Sequence, residues 1–387
     1  MNFELNEEQK AIQKLARDFA QGELRPRAAE FDRSAKFIWD VIPKLAEVGF
    51  LGISIPEKYN GQGMDMLSAA LVMEEIAKEC GSTALTLASH NGLGTKHILF
   101  FGSEAQKQKY LPDLALGKKM SAWALTEPGS GSDASGMKTR AELKGDKWVL
   151  NGSKAFITQG SVGDTYVVLA LTTPEKRQKG ISAFIVEKGT PGFTSGKPED
   201  KLGCRASDTS TLSFENVAIP KENLIGEKDQ GFIDTLKILD QGRVIIGAMA
   251  LGLGTAALRE SIRYAKEREQ FGKPIAEFQA IQWKIANMST ELEAARLLVY
   301  RAAALHAKGE RASLESSQAK LFASEAASRA CQEAIQIHGG YGYIKEYPVE
   351  RYWRDNRICE IGEGTSEVQR MVIARHILSK GGPTLDV

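Results

Sequence analysis

The segment Glu360-Ile361-Gly362-Glu363-Gly364-Thr365-Ser366-Glu367-Val368-Gln369 sets one carboxylate between two glycines, just ahead of a helical pattern. Ser366 with Gln369 three residues on fits a capping box, which predicts a helix opening at Ser366 and leaves Glu363 just outside its N-terminus. Glycine on either side lets a ligand approach the carboxylate and the nearby backbone N–H groups. The same pattern suits a surface Glu favoured by the helix dipole, and the residues alone keep both readings open.

A second segment, Thr126-Glu127-Pro128-Gly129-Ser130-Gly131-Ser132-Asp133, offers backbone donors and three hydroxyls in one loop, which could hold polar parts of a ligand or be a Ser/Gly/Asp turn. Gly129 to Ala134 and Gly252 to Ala257 both match the GxGxxG/A spacing. That template requires a strand, a tight turn and a helix. The first match leads into further strand and the second sits inside a helical pattern, so with 37 glycines in the chain neither carries a dinucleotide site. Gln336 to Tyr343 reads as a Gly-rich helix end. The histidines at 90, 97, 306, 338 and 376 form no ligand-spaced set and HExxH is absent, so no metal is implied. No GxSxG elbow supports a serine hydrolase. Four cysteines lie far apart without a CxxC pair, which fits reduced thiols.

The elements that must position these residues fall into three blocks, and the expected fold class is multidomain α+β. Residues 1–120 are predicted as an N-terminal all-α domain: Ile12, Leu15, Ala16 and Phe19 share a face after a cap at Asn6 with Gln9, and further runs cover 65–78, 85–101 and a stretch capped by Ser103. Residues 121–225 turn to period two and predict a central antiparallel β-barrel or sandwich, with turns at Gly145-Asp146 and Asn151-Gly152. Residues 226–387 predict a C-terminal four-helix bundle. One stripe there is Ile281, Ile285, Met288, Leu292, Ala295 and Leu298, and an Ala-rich helix carries Ala319, Ala323, Ala326, Ala330 and Ala334.

Fifty Lys+Arg against 49 Asp+Glu leave a net charge of +1, so no global field draws nucleic acid or an anionic membrane. The longest apolar run, 244–254, falls short of a spanning helix, so no membrane insertion is expected. The start shows neither a signal nor a transit pattern, and the expectation is a cytoplasmic, bacterial-like protein.

In combination these segments resemble the acyl-CoA dehydrogenase family over nearly the whole chain. The likeness rests on Ala124-Leu-Thr-Glu127-Pro-Gly-Ser-Gly131-Ser132-Asp133-Ala-Ser-Gly136 and on Gln336-Ile-His-Gly339-Gly340-Tyr-Gly342-Tyr343-Ile-Lys-Glu346, followed by Arg351 and Asp355. Arg268-Glu-Gln-Phe271-Gly-Lys, Arg205-Ala-Ser207-Asp208-Thr209 and Glu363-Gly-Thr365 add to it.

The resemblance implies FAD and a fatty or branched acyl-CoA oxidised to the trans-2,3-enoyl-CoA, as in fatty acid β-oxidation or branched-chain amino acid degradation, with electrons passed to electron-transferring flavoprotein. It implies that Trp123, Leu125, Thr126, Phe156 and Thr158 line the flavin ring, and that Ser132, Thr365 and Glu367 also touch the cofactor. Arg268, Gln270, Phe271, Gln279, Gln336, Gly339 and Gly340 match positions that reach the FAD of a neighbouring subunit, in a homotetramer built as a dimer of dimers. Ser132, Asp240, Arg243, Gly364 and Arg375 match substrate-side positions, and Glu363 matches the catalytic base. Relatives that place the base elsewhere use the position of Gly242, so Glu363 has no rival here. At Gly362 the sequence departs from the straight-chain pattern, where Tyr is usual, and resembles the isovaleryl type. Two rivals remain: an oxidase, marked by oxygen consumption without an added carrier, and a non-catalytic scaffold, marked by colourless protein.

Overall fold

Asn6 accepts from the Gln9 N–H at 2.8 Å while Gln9 Oε1 accepts from the Asn6 N–H at 3.0 Å, the expected capping box, and α1 (Glu7–Phe19) follows. A π-helical turn (Ala20–Leu24) ends this helix ahead of Pro26, which cannot continue it. The computed structural model describes residues 4–379; the outer ends of the first and last expected domains, 1–3 and 380–387, lie outside the described residues.

Next come α2 (Ala28–Ser34), α3 (Ile42–Glu47) and α4 (Met66–Glu79), the last capped by Asp65 accepting from the Ser68 N–H. The run expected over 85–101 as one helix is broken into α5 (Gly81–Ser89), a π turn (His90–Gly94) and α6 (Thr95–Phe101). The π turn brings Gly94 so close to Ser121 and Ala122 that a Cβ there would lie 2.1 Å from the Ser121 hydroxyl. α7 (Glu104–Ala115) opens on Ser103, with Gln106 as the reciprocal partner.

The central region holds β1 (Ser121–Ala124), β2 (Arg140–Lys144), β3 (Lys147–Thr158), β4 (Thr165–Leu171), β5 (Ile181–Glu187), β6 (Phe193–Ser195), β7 (Thr209–Pro220) and β8 (Leu224–Ile225). They pair in the order β6-β7-β3-β2-β4-β5-β8, with β1 on β4. The sheet is mixed, which corrects the antiparallel expectation: β1 runs parallel to β4 in the register Ser121 with Thr165. Both strands start from the same end because the Asp164 and Thr165 N–H groups share the Met120 carbonyl. Alternation along a strand reports its two faces and not the direction of its neighbour, so the sequence left this hidden. Asn151-Gly152 is likewise not a turn; β3 passes through it with a register irregularity, and Gly152 (φ 145°) approaches Thr139 where a Cβ would be 2.5 Å from its hydroxyl. Along β4 and β5 the period-two pattern feeds two cores: Val167, Leu169, Ala183 and Ile185 face the N-terminal helices, while Val168, Ala170, Phe184 and Val186 face the other strands.

The last region contains α8 (Gly231–Glu267), the short strands β9 (Glu269–Gln270) and β10 (Lys273–Pro274), then α9 (Gln279–Ala307), α10 (Ser313–His338), α11 (Val349–Ile361) and α12 (Ser366–Leu378). The Ala-rich face of α10 is buried and packs on α8, α9 and α11. Gly252 and Gly254 are packing glycines rather than a nucleotide loop: a Cβ would lie 2.4 Å from the Glu74 carbonyl at the first and 2.6 Å from Leu292 at the second. Contrary to the sequence expectation, α8 is long and apolar enough to cross a membrane, yet 83% of its apolar window is buried within the protein. Its apolar surface is already used by one core shared between the N- and C-terminal helices.

Candidate active site

Between α11 and α12 the chain makes the turn that carries Glu363. Gly362 closes α11, its N–H donating to the Ile358 carbonyl at 2.7 Å, and has φ −68°; Glu363 itself sits at φ +53° and Gly364 at +93°. A left-handed backbone at a residue with a Cβ costs about 1 to 2 kcal/mol, so the surrounding contacts must hold it. They do so through the carbonyls: Gln369 Nε2 donates to Gly364 O at 2.8 Å and to Glu363 O at 3.3 Å, and Lys320 Nζ also donates to Gly364 O. The helix cap is Thr365, whose hydroxyl accepts from the Val368 N–H, which corrects the expected cap at Ser366 by one residue. Gln369 therefore clamps the loop instead of closing a capping box.

The Glu363 side chain turns onto α8. At Gly242 a Cβ would stand 1.8 Å from Glu363 Oε2, so only glycine leaves room for the carboxyl group. Oε2 is buried and has no hydrogen-bond partner among the described residues. Burial pushes the carboxyl up to about 7, opposed by the charges of Lys320, Arg243 and Lys96. Desolvation outweighs the three charges. On the same stretch of α8, Arg243 donates to Asp240 at 2.7 Å and to the Ser317 hydroxyl at 3.3 Å, and Asp240 also accepts from Ser313. Glu363, Gly364, Asp240 and Arg243 are therefore brought together, whereas Arg375 is exposed on α12 and Glu367 is exposed in its first turn.

A second group lies on the sheet. Trp123 is buried on β1 and its Nε1 donates to His97 Nδ1 at 3.2 Å, which puts the imidazole proton on the buried, unpartnered Nε2; burial pushes His97 down to about 3. Leu125 is buried, while Thr126 and Thr158 are partly exposed. Phe156 stands out at φ +57°, 69% exposed, at a register irregularity of β3 between Lys154 and Ile157. The Gly-rich loop is anchored by Glu127, buried rather than ligand-facing: it accepts from the Lys138 N–H at 2.6 Å, the Thr139 N–H at 3.0 Å and Lys154 Nζ at 2.9 Å. Ser132, Gly129 and Gly131 remain exposed on that anchored loop.

The third group is remote. Arg268, Gln270, Gly339 and Gly340 line a groove of about 490 Å³ with Tyr264, His338 and Tyr341, the Arg268 guanidinium lying 5.6 Å over the Tyr341 ring. Phe271 (95% exposed), Gln279 and Gln336 are exposed near the ends of the elements that form it. Arg268 follows the end of α8, so at 1.5 Å per residue it is about 38 Å along the helix from Arg243. The groove and the Glu363 carboxyl of one chain are separate sites.

Sequence reasoning missed Lys320, Lys96, His97 and the Glu127–Lys154 pair. Lys320 did leave a signal: it is a single cation inside the small-residue face of α10, and it is wholly buried.

The family models described as acyl-CoA dehydrogenase N-terminal, middle and C-terminal domains match residues 6–118, 122–217 and 229–378. The chain is 46% identical to "Acyl-CoA dehydrogenase, short-chain specific" of Clostridium acetobutylicum, over 97% of this chain and all of that one. It is 48% identical to subunit CarC of the caffeyl-CoA reductase-Etf complex of Acetobacterium woodii, over 97% and 99%. The solved structure of butyryl-CoA dehydrogenase from Megasphaera elsdenii superposes with a TM-score of 0.96 at 45% identity, covering 98% of this chain and all of that one.

Proposed function

Because the chain belongs to the acyl-CoA dehydrogenase family of flavin-dependent oxidoreductases acting on CH–CH bonds, we propose that it oxidises a short acyl-CoA thioester to the trans-2,3-enoyl-CoA with Glu363 as the base. The observation that carries this reading is the Glu363 carboxyl: desolvated, raised to about 7, unpartnered at Oε2, and given its place by the missing side chain of Gly242. A base whose pKa lies near the working pH combines a sufficient ionised fraction with enough basicity to take a weakly acidic α-proton.

FAD is the cofactor, and when bound its N5 accepts the β-hydrogen with two electrons. The chain's own residues fit it. Exposed Phe156 beside Thr158, with Trp123, Leu125 and Thr126 on the adjacent strand end, provides an aromatic and hydroxyl-bearing face for a flat ring. Ser132, Thr365 and Glu367 are assigned to its polar parts. The groove of Arg268, Gln270, Gly339 and Gly340, with Phe271, Gln279 and Gln336, is about 38 Å from Arg243 of the same helix. It is assigned to the FAD of a second copy, in a dimer that pairs into a tetramer. Asp240, Arg243, Ser132, Gly364 and Arg375 are assigned to the CoA thioester. The Glu363 N–H is assigned to donate to the thioester oxygen and stabilise the enolate that forms as the α-proton moves to the carboxylate.

In this reading the domains are 1–120, 121–225 and 226–387, and the electrons leave to electron-transferring flavoprotein. The same site can run in reverse on an enoyl-CoA, the direction in which the Acetobacterium woodii relative is named. Glu363→Gln tests the assignment, since the amide keeps shape but accepts no proton. Flavin reduction by butyryl-CoA should slow by at least about 100-fold, with FAD content and thioester binding retained. Reduction at the wild-type rate would remove Glu363 from the chemistry.

A further inference from the structure

Three cations act on the Glu363 carboxyl, and two are already committed: Lys320 Nζ donates to Gly364 O, and Arg243 is paired with Asp240 and bonded to Ser317. The third, Lys96 on α6, is 6% exposed and has no hydrogen bond or ion pair with any described residue. The acidic group its charge acts on is Glu363. α6 packs against α8, the helix that carries Asp240, Gly242 and Arg243, and on either side of Lys96 the Thr95 hydroxyl and His97 Nε2 are also buried without partners.

A buried ammonium persists in proteins when it is paired, because hydrocarbon does not replace its water. In the reading above, the acyl α-carbon must meet Glu363, so the acyl chain comes near Lys96, whose charge acts on that same carboxyl. A plain butyryl or isovaleryl chain would drive water from Lys96 and offer nothing in exchange. The proton transfer makes this worse: once Glu363 has taken the α-proton it is neutral and no longer balances Lys96, whose charge then opposes the step. A second anion on the substrate removes both difficulties.

We propose that Lys96 binds a carboxylate at the far end of the acyl group, so that the preferred substrate is the mono-CoA thioester of a short dicarboxylic acid. This rests on Glu363 being the base. The bond changes stay those of the family reaction: the α-proton goes to Glu363, the β-hydrogen leaves with two electrons to FAD, a C2–C3 double bond forms, and the distal carboxylate is unchanged.

The test compares glutaryl-CoA with valeryl-CoA, which have equal carbon number, by anaerobic flavin bleaching in the FAD-loaded wild type, Lys96→Met and Lys96→Arg, with 5-hydroxyvaleryl-CoA as the neutral control. Wild type should favour glutaryl-CoA over valeryl-CoA in kcat/KM by about 30-fold or more, the scale of losing one partner of a buried charge pair. Lys96→Met should reverse the order and speed valeryl-CoA, while Lys96→Arg should keep the wild-type order. A wild type that prefers valeryl-CoA, with an unchanged ratio in Lys96→Met, would overturn the proposal and leave Lys96 as a counter-charge to Glu363. Equal use of the hydroxyacyl control would overturn the carboxylate and point to a neutral acceptor. Failure of every thioester, butyryl-CoA included, to bleach the flavin would instead overturn the dehydrogenase reading itself.

Discussion

Gly242→Ala separates folding from chemistry at one atom. The added methyl carbon would stand 1.8 Å from Glu363 Oε2, where ordinary contact begins at 3.4 Å, so the carboxyl must retreat by about 1.6 Å. That retreat is cheap for the fold, because the obstructed atom is the end of a flexible side chain. Alanine inside α8 in fact favours the helix by roughly 0.5 to 1 kcal/mol over glycine. It is expensive for the reaction, since a displacement of about 1 Å at a reacting group can cost about 100-fold. The expected result is an unchanged or slightly raised Tm, full FAD content, and flavin bleaching by butyryl-CoA slowed about 100-fold. Stopped-flow absorbance under anaerobic conditions reads the rate directly. A variant that bleaches at the wild-type rate would refute the argument that Gly242 fixes the base.

The ionised Glu363 is the active form and its pKa is raised to about 7, so kcat/KM should fall about tenfold per pH unit below 7 and level off above it; Lys320→Met, which removes a cation favouring the carboxylate, should move that limb to higher pH, and no movement would show that Lys320 does not tune the base. Gly362 has φ −68°, so it is not glycine for want of a left-handed residue; Gly362→Tyr should reject isovaleryl-CoA relative to butyryl-CoA by about 10 to 200-fold, and an unchanged ratio would remove acyl selection from this position. Arg268→Ala should loosen FAD measurably in absorbance and in dialysis, whereas tight FAD binding by a stable monomer in sedimentation would contradict the shared site.

Much of the local structure was written in short stretches of sequence. The Asn6–Gln9 box, the Ser103 cap, the Ala-rich face of α10 and the three-block order all follow from side chains that interact within one or two turns or along one strand. The same holds for the prominence of Glu363 between its glycines. Tertiary structure decided what depends on distant partners. The parallel pairing of β1 with β4, the burial of Glu127 against Lys154 and the split of 81–101 at Gly94 each arise where remote segments meet. Periodicity carries no record of such meetings. The charge state of the base is the clearest case: its environment is assembled from Lys96 on α6, Arg243 and Gly242 on α8, Lys320 on α10 and the loop after α11. Desolvation and Coulomb terms depend on distance through space, so only the fold could show that the Glu363 carboxyl is desolvated, raised, and acted on by a lysine that has no hydrogen-bond or ion-pair partner among the described residues.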